Sequence, residues 1–338
     1  MDTSHFPHRI AFSFAPGTFD IECMCPELWS QDDECGSSYV QLAPCWPRLL
    51  PALGGMGLLM ACAPSGPVTA AMAMQEAQFE AVPNSAEWVC LGTGLEICSA
   101  KLGGVLATLE SLEGGQQTAS LQFFDRAGEG CLKLLLTNRS HIAVFEDLVR
   151  RHAMPQHVPS LGVCGSADAL ALSIAGPAAQ TVRSLWGGLR RTLPTNTFPG
   201  LEGVSRRRAL GLAGLRHAWQ VRTTAVMPLV RAMTLGDAPL GIGVRNDAVF
   251  LPVGMYPGHW ADCCCGTTFF AGTSQLTLRH ELSRAEAWVT RFGAKDGENL
   301  CLEIYDQNGS FCAGLGLRPE ALPTHHKQWN HWLREAAC

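Results

Sequence analysis

Alternating apolar and polar positions mark two stretches of this chain 181 residues apart: Ala119-Ser-Leu-Gln-Phe-Phe-Asp-Arg-Ala-Gly-Glu-Gly-Cys131 and Leu300-Cys-Leu-Glu-Ile-Tyr-Asp-Gln-Asn-Gly-Ser-Phe-Cys312. Leu121 and Phe123 in the first, and Leu302 and Ile304 in the second, recur at period two, the repeat that gives a strand one buried face. Each stretch then runs into Asp-x-x-Gly-x-x-Cys, which suits a type I turn whose Gly takes the left-handed position. A second apolar strand follows (Cys131 to Leu136; Phe311 to Leu317), and after it a helix. Ile142, Phe145, Leu148 and Val149 fall on one helical stripe with Ser140 expected as N-cap, and Trp329, Trp332 and Leu333 do the same after Thr324. The pattern predicts strand, turn, strand, helix, written twice.

The repeat extends upstream of the hairpins. Trp46 to Ala61 predicts a short helix from about Pro47, a break at Gly54-Gly55 and a strand from Leu58 to Cys62; Met227 to Val244 repeats helix, breaker, strand. Short apolar runs punctuated by Gly between Glu87 and Leu109 predict an antiparallel meander. Met154 to Pro159 reads as a linker. Helices are expected over Ala178 to Leu193, Val204 to Leu212 and Thr224 to Met233, and a second sheet over Leu240 to Leu317. Residues 1–44 carry no clear period. The predicted class is α+β: a tandem repeat of two large antiparallel sheets with flanking helices, divided as residues 1–155 and 156–338.

Composition narrows the partners. A net charge of −5 gives no electrostatic footprint for nucleic acid, and no apolar run reaches membrane length. The fifteen Cys are odd in number and irregular in spacing, and Cys263, Cys264 and Cys265 are consecutive, which argues for reduced thiols rather than a disulfide framework. With no secretory pattern at the N-terminus, a cytoplasmic location is expected. Neither Gly-x-Ser-x-Gly, nor a Walker loop, nor a dinucleotide fingerprint occurs. Cys23, Cys25 and Cys35 fit the paired knuckles of a zinc site poorly. His325, His326 and His331 read as the solvated side of the last helix.

Several segments together resemble the cytoplasmic haemin-binding and haemin-degrading family typified by HemS, ChuS and PhuS, which is built from tandem repeats. The segments are Cys45 to Ala61 (Cys-Trp-Pro-Arg-Leu-Leu-Pro-Ala-Leu-Gly-Gly-Met-Gly-Leu-Leu-Met-Ala), Ser120 to Gly128, Gly203 to Gly214 (Gly-Val-Ser-Arg-Arg-Arg-Ala-Leu-Gly-Leu-Ala-Gly), and Leu276 through Ala287-Trp-Val-Thr-Arg291 to Asp306. They stand in the family's order. The resemblance implies haem, or a related tetrapyrrole, held between the second sheet and the central helices, and a role in haem uptake, trafficking or ring opening.

This chain departs from the family at the site itself. Where the family has its iron-ligating His before Phe-Pro, here Phe198-Pro199 follow Thr195; the distal Arg after Met-Ala is replaced by Cys62-Ala-Pro-Ser65; and the Lys after Val-x-Arg is Phe292. The resemblance retains Arg206 and Arg318, which match family Arg residues and are expected at a solvent-facing rim, where Arg can clamp a propionate bidentately. Because haem iron accepts His, Cys, Met or Tyr, a moved ligand is chemically allowed. His217 is the first substitute, and His259 with Cys263 to Cys265 the second. The resemblance implies haem as cofactor and as partner, with a homodimer an open expectation. The lost ligand and distal Arg rank carriage above degradation. The alternatives are a paralogue that keeps the scaffold for protein interaction without haem, and a cysteine-based metal or redox protein.

Overall fold

The computed structural model describes residues 30–32, 37–111, 117–154, 177–188, 204–292 and 299–337. Their strands form two large antiparallel sheets with flanking helices, as the alternation predicted. The chain divides into two compact units. Of the described residues, the first holds 30–64, 71–154 and 247–251, and the second holds 65–70, 177–246 and 252–337. Two short segments, 65–70 and 247–251, therefore depart from a single division at 155/156.

The first unit contains β1 (Ser30–Asp32), β2 (Ser37–Leu42), α1 (Trp46–Ala52), β3 (Gly57–Ser65), β4 (Val68–Gln75), β5 (Gln78–Ala81), β6 (Glu87–Leu91), β7 (Glu96–Cys98), β8 (Leu102–Ser111), β9 (Gln117–Asp125), β10 (Gly130–Ser140) and α2 (Ile142–His152). Its main strands run in the spatial order β1-β2-β8-β9-β10-β3. Leu121 pairs with Ala107 on one side and Leu134 on the other, and all three are buried. The helix α2 buries Phe145, Leu148 and Val149 of the expected stripe, while Ile142 at its start is half-buried. Its N-cap is His141 rather than Ser140, because the Ser140 hydroxyl is committed to β3, donating to the Leu58 carbonyl at 2.5 Å.

The second unit contains α3 (Pro177–Gly188), α4 (Arg206–Ala213), β11 (Ala218–Val221), α5 (Val226–Leu235), β12 (Leu240–Arg245), β13 (Val249–Met255), β14 (His259–Cys263), β15 (Gly266–Ala271), β16 (Ser274–Arg279), β17 (Glu286–Phe292), β18 (Asn299–Tyr305), β19 (Phe311–Leu317) and α6 (Pro323–Glu335). The first residues of β13 belong to the first unit, and Ser65 of β3 with Val68 to Ala70 of β4 belong to the second. The spatial order here is β11-β17-β18-β19-β12. The strand β11 falls outside the expected sheet; its four residues are too short a run for period two to register. Helix α6 buries Trp329, whose indole N–H reaches the Leu300 carbonyl at 3.0 Å, and Leu333, while Trp332 stays half-buried.

The two predicted hairpins are made by the same bonds. Oδ1 of Asp125 accepts the amides of Ala127 and Glu129 at 2.8 and 2.9 Å, and Oδ1 of Asp306 accepts those of Asn308 and Ser310, both at 2.8 Å. Gly128 and Gly309 have φ of 84° and 80°, the left-handed region where a Cβ is costly. The correspondence continues outward. Pro47 and Pro228 lie in the first turns of α1 and α5 at the same offset of 181, and in each unit a strand end bridges to the chain just after a helix, Leu42 to Ala153 after α2 and Val221 to Ala337 after α6.

Candidate functional site

In the second unit α3 and α4 cover the face of β17 and β18 that alternation alone would leave to solvent. Val182 and Trp186 from α3, and Ala209, Leu210 and Ala213 from α4, pack with Phe292, Cys301, Tyr305 and Phe311. Helix α4 begins where the Ser205 hydroxyl accepts the Arg208 amide at 3.2 Å, and it ends at Gly214, with φ of 77°. This start fixes which helical face meets the sheet, and Arg206 is on it.

Arg206 and Glu303 each have a side-chain exposure of 0%. Nε and Nη2 of Arg206 donate to the two Glu303 oxygens at 2.9 and 2.5 Å, while Thr290 and Tyr305 donate hydroxyls to the same carboxylate at 3.0 and 2.5 Å. The guanidinium lies 5.6 Å from the Trp186 ring centroid. Burial works against the Arg206 charge, but Glu303 outweighs it and holds the proton on more firmly than usual. Burial first, and then Glu303, push the Tyr305 hydroxyl well above the ordinary phenol range. Nη1 of Arg206 is buried with no hydrogen-bond partner among the described residues. The expected rim position of Arg206 is corrected: its charge is spent on Glu303 inside the core.

His217 follows α4, on a turn where its amide donates to the Gly214 carbonyl at 2.9 Å and its own carbonyl accepts the Arg291 amide at 2.9 Å. The ring is half-buried. Its pKa is lowered, by burial first and then by the cations Arg291, Arg216 and Arg183, so neutral imidazole is favoured. Leu215 on the same turn is 82% exposed. Arg318, after β19, is partly exposed: Nε meets Glu320 at 2.7 Å, and the guanidinium lies 6.0 Å from the Tyr256 ring centroid. Gly254 leaves the room this needs, since a Cβ there would lie 2.4 Å from Nη1 of Arg318. His259 stacks on Phe270 with ring centroids 4.9 Å apart, at the far end of β14 from Cys263. Thr195, Phe198-Pro199, Cys23, Cys25 and Cys35 lie outside the described residues, among which no cluster of three or more His, Cys, Asp or Glu fit to hold a metal occurs. His331 is exposed, and His325 and His326 are half-buried.

No family model matches this chain. Over 221 residues it is 24% identical to the hemin transport protein HmuS of Yersinia pestis, an alignment that covers 64% of this chain and 61% of HmuS. The match therefore spans less than two thirds of that relative's length. The heme degrading enzyme ChuS of Escherichia coli O157:H7 superposes with a TM-score of 0.74 at 20% identity, covering 89% of this chain and 87% of that one. Holo-PhuS, a heme-binding protein from Pseudomonas aeruginosa, superposes with a TM-score of 0.70 at 21% identity, covering 86% of each chain. The chain shares the fold of ChuS and PhuS.

Two of the positions at which the sequence departs from the pattern it resembles lie among the described residues. Cys62, which opens the stretch Cys62 to Ser65 where the resemblance expects a distal Arg and finds none, is 2% exposed in a cluster with Met60, Ala71 and Leu135 of the first unit. Phe292, in place of the Lys, is 3% exposed and stacks on Trp186 at 6.3 Å between ring centroids. Both positions are apolar core. Glu303, Tyr305 and Trp186 were not singled out in the sequence. The signal was the run Cys301, Glu303, Tyr305 opposite Leu302 and Ile304: two of these three are not typical of a solvent face, which marks that face as covered. One repeat earlier the matching residues are Ser120, Gln122 and Phe124, and there neutral Gln122 donates to Thr108 and Glu110 at 3.2 and 3.1 Å.

Proposed function

We propose that this chain binds haem, or a related tetrapyrrole, as a cytoplasmic carrier in haemin utilisation, with His217 as the iron ligand. The fold shared with holo-PhuS and ChuS, and the alignment with a hemin transport protein, support the ligand class. The observation that carries the site is His217 itself. A half-buried imidazole, kept neutral by burial first, offers iron a lone pair, and the cations that add to this effect, Arg291, Arg216 and Arg183, suit the carboxylates of a propionate-bearing macrocycle. The exposed Leu215 beside it supplies apolar surface for a flat ring.

The residues fit haem at His217 and do not fit it at Arg206, whose charge Glu303 already satisfies. Arg318 remains able to exchange its exposed Glu320 partner for a propionate. Carriage is favoured over ring opening because the stretch after Met60-Ala61, Cys62 to Ser65, holds no Arg and opens on a buried thiol. Titration of the full chain with haemin, followed by Soret absorbance, tests the reading. A saturable shift near one equivalent is expected; absorbance that rises linearly with no saturation overturns it.

One observation favours a second reading, a scaffold that has shed its haem site: Phe292 on Trp186, with Arg206 locked to Glu303, leaves the sheet face under α3 and α4 tightly filled. That reading predicts protein purified colourless from haemin-supplemented cells and indifferent to haemin in the same titration.

A further inference from the structure

Strands β14 and β15 are joined by a two-residue turn, Cys264-Cys265, with Cys263 the last residue of β14 paired to Gly266. Gly266 has φ of 152°, and a Cβ there would lie 2.2 Å from the Leu278 carbonyl of β16, so the turn is held close against the neighbouring strand. Cys62, Cys90, Cys131, Cys301 and Cys312 are buried, whereas Cys263 and Cys264 are exposed and Cys265 partly so. Sγ of Cys263 lies 2.9 Å from Sγ of Cys265, inside van der Waals contact of two sulfurs. The thiols share a hydrogen bond, and Sγ of Cys263 also lies 3.4 Å from the Gly266 carbonyl. That shared bond is the first cause of opposite shifts, the Cys263 pKa lowered and the Cys265 pKa raised, with burial acting upward on both; the nearby Asp262 opposes the lowering at Cys263 but is itself engaged by Thr267 and Arg231.

We propose that Cys263 and Cys265 form a thiol–disulfide exchange site whose oxidising co-substrate is a low-molecular-weight disulfide. The Cys263 thiolate attacks one sulfur of that disulfide, breaking its S–S bond; one thiolate leaves and takes a proton from water. Cys265 then gives its proton to solvent and attacks the Cys263 sulfur of the mixed disulfide, releasing the second small thiol. Two protein thiols become one Cys263–Cys265 disulfide, and one small disulfide becomes two thiols. Excess small thiol runs the sequence backwards. Cys264, projecting from the same turn, is a bystander.

The test uses the full chain without haem, glutathione disulfide as oxidant, and peptide mapping by mass spectrometry after alkylation. The parent is expected to form one internal Cys263–Cys265 link that excess glutathione reverses. Cys265→Ser is expected to stop at a mixed disulfide on Cys263, Cys263→Ser to lose the rapid reaction, and Cys264→Ser to match the parent. Equal alkylation rates at the three positions with no internal link, or a link made through Cys264, would overturn the proposal. These side chains lie on an exposed turn, so unchanged circular dichroism in each variant separates loss of chemistry from loss of fold.

Discussion

Arg206 and Glu303, 97 residues apart in sequence, meet through two parallel N–H···O contacts with neither side chain reaching solvent. This pair fixes α4 on β18. It also keeps inside the core an Arg for which the sequence resemblance predicts an exposed rim position.

Removing one partner strands the other's charge in the core, whereas removing both does not. Arg206→Ala or Glu303→Ala should lower unfolding free energy by about 3–5 kcal/mol. The double replacement Arg206→Met with Glu303→Leu should lie within about 1–2 kcal/mol of the parent, since apolar pairs of similar volume often replace buried ion pairs at little cost. Urea denaturation of the four proteins measures this; single variants as stable as the parent would remove the pair from the account.

The two turn aspartates should behave alike. Each accepts two backbone amides, so Asp125→Ala and Asp306→Ala should each cost about 1–3 kcal/mol. A large effect at one turn and none at the other, by the same denaturation measurement, would contradict their equivalence.

His217 should titrate below the ordinary imidazole value of about 6.5. Its folded pKa is depressed, so below about pH 6.5 the unfolded chain takes up the proton first. Its contribution to stability is therefore complete above about pH 6.5 and is lost as pH falls toward the folded midpoint. The ring resonances of His217 followed by NMR give that midpoint, and a value at or above the free one would show that burial and the three arginines do not act on it.

Phe292→Lys restores the residue type that the family pattern has at this position, and it should cost at least about 3 kcal/mol, since it places an ammonium against Trp186 in apolar core. A variant as stable as the parent that holds haemin more tightly would mean the face under α3 and α4 opens to ligand.

Much of the fold was legible because the signals were local. Period two through Leu121, Phe123, Leu302 and Ile304, and the Asp-x-x-Gly turns, depend on neighbours within a few residues. Ser140 misled because a cap position read from sequence ignores competing partners, and here Leu58 on β3 takes the hydroxyl. The candidate site was less legible. Arg206 carries no local mark of burial; what buries it is a carboxylate on β18, far along the chain, and a helical cover over a strand face that reads as half polar. His217 and the cysteine turn could be named from the sequence, but the arginines around one and the sulfur contact within the other are products of tertiary structure.

The most direct test of the central claim is the optical spectrum of the full chain reconstituted with haemin, beside His217→Ala. The account predicts a saturable, imidazole-type spectrum in the parent that is lost or shifted in the variant. Superposable spectra from the two proteins, or no saturable band in either, would contradict it.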